Sequence, residues 1–322
     1  MLLTTLTPTS LSILLFFLFL VISLYLLNRS SRRYENKNSV AKAYDDWTED
    51  RLLERLWGEH VHLGYYGETT ERCDFRVAKE IFVHQLVHWS GLDQLPHGST
   101  VLDVGCGIGG SSRILARDYG LNVLGISISP SQIKRARELT SSNSECQFAV
   151  MDALDLKLAD GSFDAVWSVE AGPHMPDKQL YADELQRILR PNGLLIVADW
   201  NCRDQRFQQL NKIERWVMRQ LLDQWAHPEF ASISGFRDNL QKSSYNKGLV
   251  DTDDWTVYTL PSWFDSITEG IRRPFTILAL GPIAVIQGLR EIPTLLMMHW
   301  AFARRMMQFG VFRARSDAFQ DN

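Results

Sequence analysis

The strand-like run Thr100–Val104 and the loop behind it, Gly105-Cys-Gly-Ile-Gly-Gly110, constrain this chain more than any other stretch. A β-branched, apolar segment closes on Asp103. Three alternate glycines, Gly105, Gly107 and Gly109, then lead into a helical pattern at 111–119. Glycines at that spacing let the backbone turn sharply and approach a ligand at a helix N-terminus. The pattern is G-x-G-x-G rather than G-x-G-x-x-G, and no Lys-Ser/Thr follows, which favours a nucleoside ligand without a pyrophosphate. The acid before the loop can accept hydrogen bonds from loop amides or from an ammonium group.

The residues beyond the loop repeat a strand–helix rhythm. Asn122–Ser127, Cys146–Val150, Phe163–Val169 and 194–198 read as short buried strands. Helical patterns fall at 130–140, behind Pro130, and at 177–189, before the stop signal Pro191-Asn-Gly193. Such alternation predicts an α/β fold with a parallel sheet covered on both faces. Ligands bind such sheets outside the strand C-termini, which places Gly105, Ser127, Asp152 and Glu170 together.

Composition removes some functions. A formal net charge of −4 gives no support to nucleic-acid binding, which usually shows a basic patch, so nucleic acid is not expected as a partner. The four cysteines stand apart, without a C-x-x-C pair, which predicts neither a zinc site nor a disulfide framework. Residues 11–27 hold no charge, and Arg29, Arg32, Arg33 and Lys37 follow them. Seventeen helical residues would span roughly 26 Å, the short end for a bilayer core. The charge asymmetry predicts a single-pass N-terminal anchor, with the remaining chain on the cytoplasmic or stromal side.

Between this segment and the glycine loop, Trp57-Gly-Glu-His-Val-His-Leu-Gly-Tyr-Tyr66 is dense in aromatics and glycine, a content common in loops that close over ligands. His60 and His62 alternate, but no third ligand stands at ordinary spacing, so a metal is not expected. Past 205 the chain turns apolar and helical. A stretch at 206–224, a strand after about 248 and a helical region at 260–307 precede Phe309-Gly-Val-Phe312, read as a last, antiparallel strand. Pro274, Pro282 and Pro293 are expected to break the helical region into short pieces. It reads as ordinary core or as a lid over a greasy substrate; the apolar N-terminus and the ten tryptophans favour the lid. Four segments follow: 1–30 as anchor, 31–97 as linker and helical cover, 98–204 as the nucleoside-binding core, and 205–322 as the lid with the last strands.

Several motifs together, Ser39-Val-Ala-Lys-Ala-Tyr44, Trp57-Gly-Glu-His-Val-His62, Val101 through Gly110 and Ser168-Val-Glu-Ala-Gly-Pro-His-Met-Pro-Asp-Lys178, resemble the methyltransferases of the tocopherol and plastoquinone pathways. Among these the chain is most similar to the cyanobacterial-type 2-methyl-6-phytyl-1,4-benzoquinol methyltransferases. The resemblance implies a Rossmann-like class I fold with a seven-stranded, mostly parallel sheet, an N-terminal transmembrane helix and helical lid insertions. It implies S-adenosyl-L-methionine as methyl donor, no metal, a lipophilic prenylquinol as acceptor, and a cyanobacterial or plastid membrane as location. Asp103, Gly105, Cys106 and Gly107 would hold the methionyl end. Asp152 would bond the adenine amino group, with Ala153 near the ring and Tyr44 reaching in from the cover. The acid that commonly closes the second strand and binds ribose is here Ser127. Ser129 and Gln132, from a Leu-Ser-x-x-Gln-like variant, are the substitutes. Hydroquinol C-methylation needs a proton acceptor, for which Glu170, His174, His60 and His62 are the candidates. A tocopherol or other lipid acceptor is the alternative, and a non-catalytic cofactor-binding protein a distant one.

Overall fold

A computed structural model describes residues 33–49, 51–67, 73–142, 145–246, 248–279 and 281–315. Three helices come first: α1 (Lys37–Glu49), α2 (Leu52–Trp57) and α3 (Phe75–Ser90). The alternating unit follows as β1 (Thr100–Val104), α4 (Gly110–Tyr119), β2 (Asn122–Ser127), α5 (Pro130–Leu139), β3 (Cys146–Val150), β4 (Phe163–Val169), α6 (Lys178–Arg187) and β5 (Leu189–Cys202). The chain ends in α7 (Lys212–Gln224), α8 (Ile233–Lys242), β6 (Val250–Asp254), α9 (Thr256–Arg272), α10 (Pro274–Ala279), α11 (Pro282–Ala303) and β7 (Met307–Arg315).

The strands form one sheet in the order β3-β2-β1-β4-β5-β7-β6. Pairing is parallel from β3 through β5, and β7 runs antiparallel to both β5 and β6. The mostly parallel seven-stranded sheet expected from sequence is therefore present. The strand order reverses between the parallel β1 and β4, and the crevice outside their C-terminal ends is where such sheets take ligands.

Local chemistry explains the boundaries. Ser129 caps α5 with Pro130 at its first position, Asp177 caps α6, and Asn211 with Glu214 makes a full capping box on α7. Alternation along β1 sends Val101 into one core and Leu102 into the other. The first core holds Phe82 and Leu86 of α3 and continues to Trp263 of α9 and Phe302 of α11. The C-terminal helices thus share one apolar interior with the sheet.

Three expectations change. The stop signal Pro191-Asn-Gly193 lies inside β5: Phe163 pairs Leu189 and Ala165 pairs Leu194, so the residues between bulge out, with Asn192 at a φ of 65°. Pro274 and Pro282 do open helices, but Pro293 sits within α11. Its missing donor costs one backbone bond, and α11 continues because Leu295, Met298 and Phe302 are buried beyond it. The expected single-pass location is corrected as well. Among the described residues no helix is long and apolar enough to cross a membrane, and residues 11–27, on which the anchor was read, lie outside them.

Candidate active site

A cavity of about 700 Å³ opens at the C-terminal ends of β1, β2 and β4. That size is well within the roughly 300–1,000 Å³ of small-molecule sites. The N-terminal helices close one side, and α9 and α11 close another through Ile267, Ile271, Val285, Leu289, Ile292 and Leu295.

At the sheet end lie Asp103, Gly105, Cys106, Gly107, Ser127, Gln132, Asp152 and Ala153, all lining this one space. Gly105 and Gly107 have φ of 79° and 55°, a backbone that side chains resist. A Cβ on Gly105 would lie 2.5 Å from that of Ala171, so the turn is also packed too closely for any larger residue. Burial pushes the Asp103 carboxyl up to about 7, against the pull of the Ser112 hydroxyl that donates to it at 2.5 Å. A carboxylate so placed gains by meeting a cation. Ser127 donates to the Gln132 amide oxygen at 2.7 Å, so the two present a joined polar edge. Ser129 sits elsewhere: it is fully buried, accepts from the Gln132 amide as helix cap, donates to Asp45 of α1, and does not line the cavity. Asp152 faces the cavity while pairing with exposed Lys37 at 3.0 Å.

The proton-accepting candidates converge deeper in. Glu170 follows β4 at a φ of 55°, an uncommon backbone for a residue with a side chain. Its Oε1 accepts from the Leu63 amide at 2.7 Å. Burial pushes its carboxyl up to about 8, opposed by that amide, the Trp200 indole and the Lys79 ammonium. His174 meets the Tyr44 hydroxyl through Nε2 at 2.7 Å, while burial and the Lys178 charge hold its pKa down to about 3. Lys178 in turn donates to the carbonyls of Gly172 and Met175, clamping the loop that carries His174.

His60 and His62 both line the cavity but engage each other, Nδ1 to Nε2 at 3.0 Å. His62 Nδ1 donates to the Leu63 carbonyl at 2.8 Å, which leaves its Nε2 to accept from His60. Burial holds both rings neutral, with His62 at about 3. Among the described residues no group of three such side chains is placed to hold a metal ion.

Several residues that sequence reading passed over complete the site. Lys79, buried in α3, donates to the His60 carbonyl at 2.6 Å and lies over the Phe75 ring at 4.2 Å. Trp200, Trp225, His227 and Trp263 build an aromatic wall, with Trp225 and Trp263 stacked at 6.1 Å and 20°. Only the high tryptophan content could have hinted at that wall. The arrangement joins a glycine cradle with a buried acid, an apolar aromatic chamber and a second carboxyl between them.

Residues 102–197 match the family described as Methyltransferase domain. The chain is 57% identical over 298 residues to 2-methyl-6-phytyl-1,4-hydroquinone methyltransferase of Synechocystis sp., covering 92% of this chain and 93% of that one. It is 32% identical to the chloroplastic tocopherol O-methyltransferase of Arabidopsis thaliana, over 70% of this chain and 68% of the relative. Among solved structures, the geranyl diphosphate C-methyltransferase of Streptomyces coelicolor aligns with a TM-score of 0.66 at 18% identity, covering 87% of this chain and 97% of that one.

Proposed function

The chain belongs to the family of the 2-methyl-6-phytyl-1,4-hydroquinone methyltransferases, and from that premise we propose that it C-methylates a prenylated hydroquinol with S-adenosylmethionine as donor. The product is the 2,3-dimethyl-6-phytyl quinol, with the solanesyl analogue as a second acceptor. The observation that carries the reading is the single cavity shared by the glycine loop, Glu170 and the apolar wall of α9 and α11.

S-adenosylmethionine, when bound, supplies an electrophilic methyl group on a sulfonium and leaves as the neutral thioether. Asp103 suits its ammonium, the turn at Gly105 and Gly107 suits a close backbone approach, and Cys106 lies beside them. Ser127 with Gln132 offers polar partners for the ribose, and Asp152 with Ala153 lies where the adenine would end. Tyr44 and His174 close the space over the donor. The helices α9 and α11 act as the lid that takes the prenyl tail and keeps water from the reacting carbon.

The ring carbon becomes nucleophilic as its neighbouring phenol loses a proton, the carbon–carbon bond forms as the sulfur–methyl bond breaks, and the ring carbon then sheds its hydrogen as a proton while the oxygen regains one, so that one proton is released overall. Glu170 is the stronger of the candidate acceptors. Burial pushes its carboxyl up to about 8 and, with the Lys178 charge, holds His174 down to about 3, which makes Glu170 the better base toward a phenol near 10. His174 and Tyr44 then orient the ring, and His60 and His62, bonded to each other, support the wall.

Radiolabelled methyl transfer to a panel of acceptors tests the reading: methyl-phytyl, methyl-solanesyl and dimethyl-phytyl quinols, with tocopherols alongside. We expect turnover of the monomethyl prenylquinols and a new methyl at ring position 3 by NMR. Turnover of tocopherols alone would move the assignment to the tocopherol branch of the family.

A further inference from the structure

Helix α11 turns one face to the cavity. Val285, Gly288, Ile292 and Leu295 follow at intervals of three, four and three, and all four line it. Side chains at that spacing make a continuous apolar stripe, and Gly288 leaves one place in the stripe empty. Beyond its chain neighbours and the backbone of its own helix, no heavy atom of the described residues lies within 4 Å of where a Cβ on Gly288 would stand. Gly110 and Gly125, also without a left-handed φ, differ: a Cβ on either would meet a neighbouring atom at 2.7 Å. Gly288 is thus required neither by backbone conformation nor by packing, although glycine inside a helix is destabilising relative to alanine.

The empty place lies near the outer end of the cavity. Helices α9 and α11 lie side by side, with Phe264 against His299 at 6.3 Å, and Trp263 and Leu295 are buried together in the core shared with the sheet. Toward the turn that joins the two helices the lining comes to the surface. Ile271 of α9 is 71% exposed and Leu289 of α11 56%, yet both line the cavity. Side chains that do both mark its mouth, and Gly288 stands directly before Leu289. Volume gives the gap a use. A twenty-carbon tail takes about 600 Å³ if each carbon needs as much room as a water molecule in the liquid. The same cavity of about 700 Å³ must hold donor and ring as well, so such a tail is not enclosed whole.

We propose that Gly288 sets the tail length this enzyme accepts: the space of its missing side chain is the outlet through which the far end of a long prenyl tail leaves the cavity between α9 and α11. This rests on the prenylquinol reading of the site. The first units of the tail lie against Ile292 and Leu295, and the remainder passes Gly288 toward the exposed Ile271 and Leu289. A channel closed at that end would admit a tail only up to its own depth. An open one does not measure the part that has left it, so phytyl and the longer solanesyl tail are accepted alike. A side chain at 288 closes the outlet without harm to the fold, because the space is empty and the helical backbone suits any ordinary helix former.

The test measures steady-state methyl transfer by the full-length enzyme to methylhydroquinols carrying one prenyl unit, two units, phytyl or solanesyl. In wild type, KM should fall with length and then level off, with phytyl and solanesyl within about threefold of each other. Gly288→Leu should raise KM for those two by at least about tenfold, the usual scale for a few methylenes denied a pocket. Its KM for the short-tailed acceptors and its affinity for S-adenosylmethionine should stay within about threefold of wild type. Gly288→Ala should fall between the two enzymes. Replacing a helical glycine should leave both variants melting at or above the wild-type temperature, which separates a blocked outlet from a damaged fold. Wild-type KM values for phytyl and solanesyl in Gly288→Leu overturn the proposal, and so does an equal loss at every tail length. A wild type that takes solanesyl at least tenfold more weakly than phytyl overturns it without any variant. In each of these outcomes turnover of the phytyl acceptor, and with it the methyltransferase reading, stands. Absence of turnover on every prenylquinol by wild type removes both.

Discussion

Asp103 carries the most readable consequence of a single side chain. Its carboxyl titrates at about 7 because it is buried, so the free protein is part-protonated at neutral pH. A bound ammonium favours the ionised form, and affinity for S-adenosylmethionine should therefore be full above about pH 7 and fall as pH drops through it. Calorimetric titrations from about pH 5.5 to 7, where an α-ammonium stays largely charged, should show this slope, and Asp103→Asn should flatten it at roughly tenfold or weaker affinity. A wild-type affinity independent of pH over that window would exclude the ionic role. Glu170 makes the complementary case in the rate. A base titrating at about 8 is competent only above that pH, so kcat should rise through about 8, and Glu170→Gln should lose 10²- to 10⁴-fold together with that rise. An unchanged pH profile in Glu170→Gln would return the proton to another group. Both residues stand in motifs readable along the chain, at the ends of β1 and β4. Lys79 and His227 do not, because their roles come from what packs on them: an α3 lysine gains meaning only from the His60 carbonyl and the Phe75 ring above it.

Elements matter through the contacts that hold them over the site. Helix α1 delivers Tyr44 and Lys37 to the cavity, and one residue on it, Asp45, fastens it to α5 by accepting from the Ser129 hydroxyl and from the Ser131 amide at 3.1 Å. The resemblance to a Leu-Ser-x-x-Gln variant assigns Ser129 to the cofactor. The structure instead uses that hydroxyl to cap α5 and to dock α1, a role that depends on a partner 84 residues away. Asp45→Ala should thus cost about 1–2 kcal/mol of stability, as lost caps do, and weaken the donor site about tenfold although residue 45 lies outside it. A melting curve paired with calorimetry would separate the two effects; full affinity in a destabilised variant would mean that α1 closes the site without help from this contact. The strands from β1 to β4 were evident from apolar runs and glycines alone. Helix α6 does end before Pro191-Asn-Gly193, but those residues bulge within β5 because a bulge and a helix stop use the same residues, and Pro293 misled because burial of its neighbours outweighs one missing bond.

At the scale of the whole molecule, the apolar core that supports the sheet continues into the helices that face the cavity. Trp263 and Leu295 belong to both, so the chamber is an extension of the interior and not a surface groove. A tail held there is removed from water, and each enclosed methylene is worth up to about 0.8 kcal/mol. A five-carbon unit could then contribute up to about 4 kcal/mol, of which ordering of the chain takes back a part. We expect kcat/KM to rise at least about tenfold per unit as the tail grows from none to fill the cavity, and then to level off. The tail lies far from the reacting carbon and is bound alike in ground and transition states. Its effect should accordingly appear in KM, with kcat nearly constant. Steady-state kinetics on methylhydroquinols carrying zero to four prenyl units would resolve this. A tailless acceptor with the same kcat/KM as the phytyl one would show that α9 and α11 enclose no tail. A change confined to kcat would instead mean that the tail drives closure of these helices over the donor.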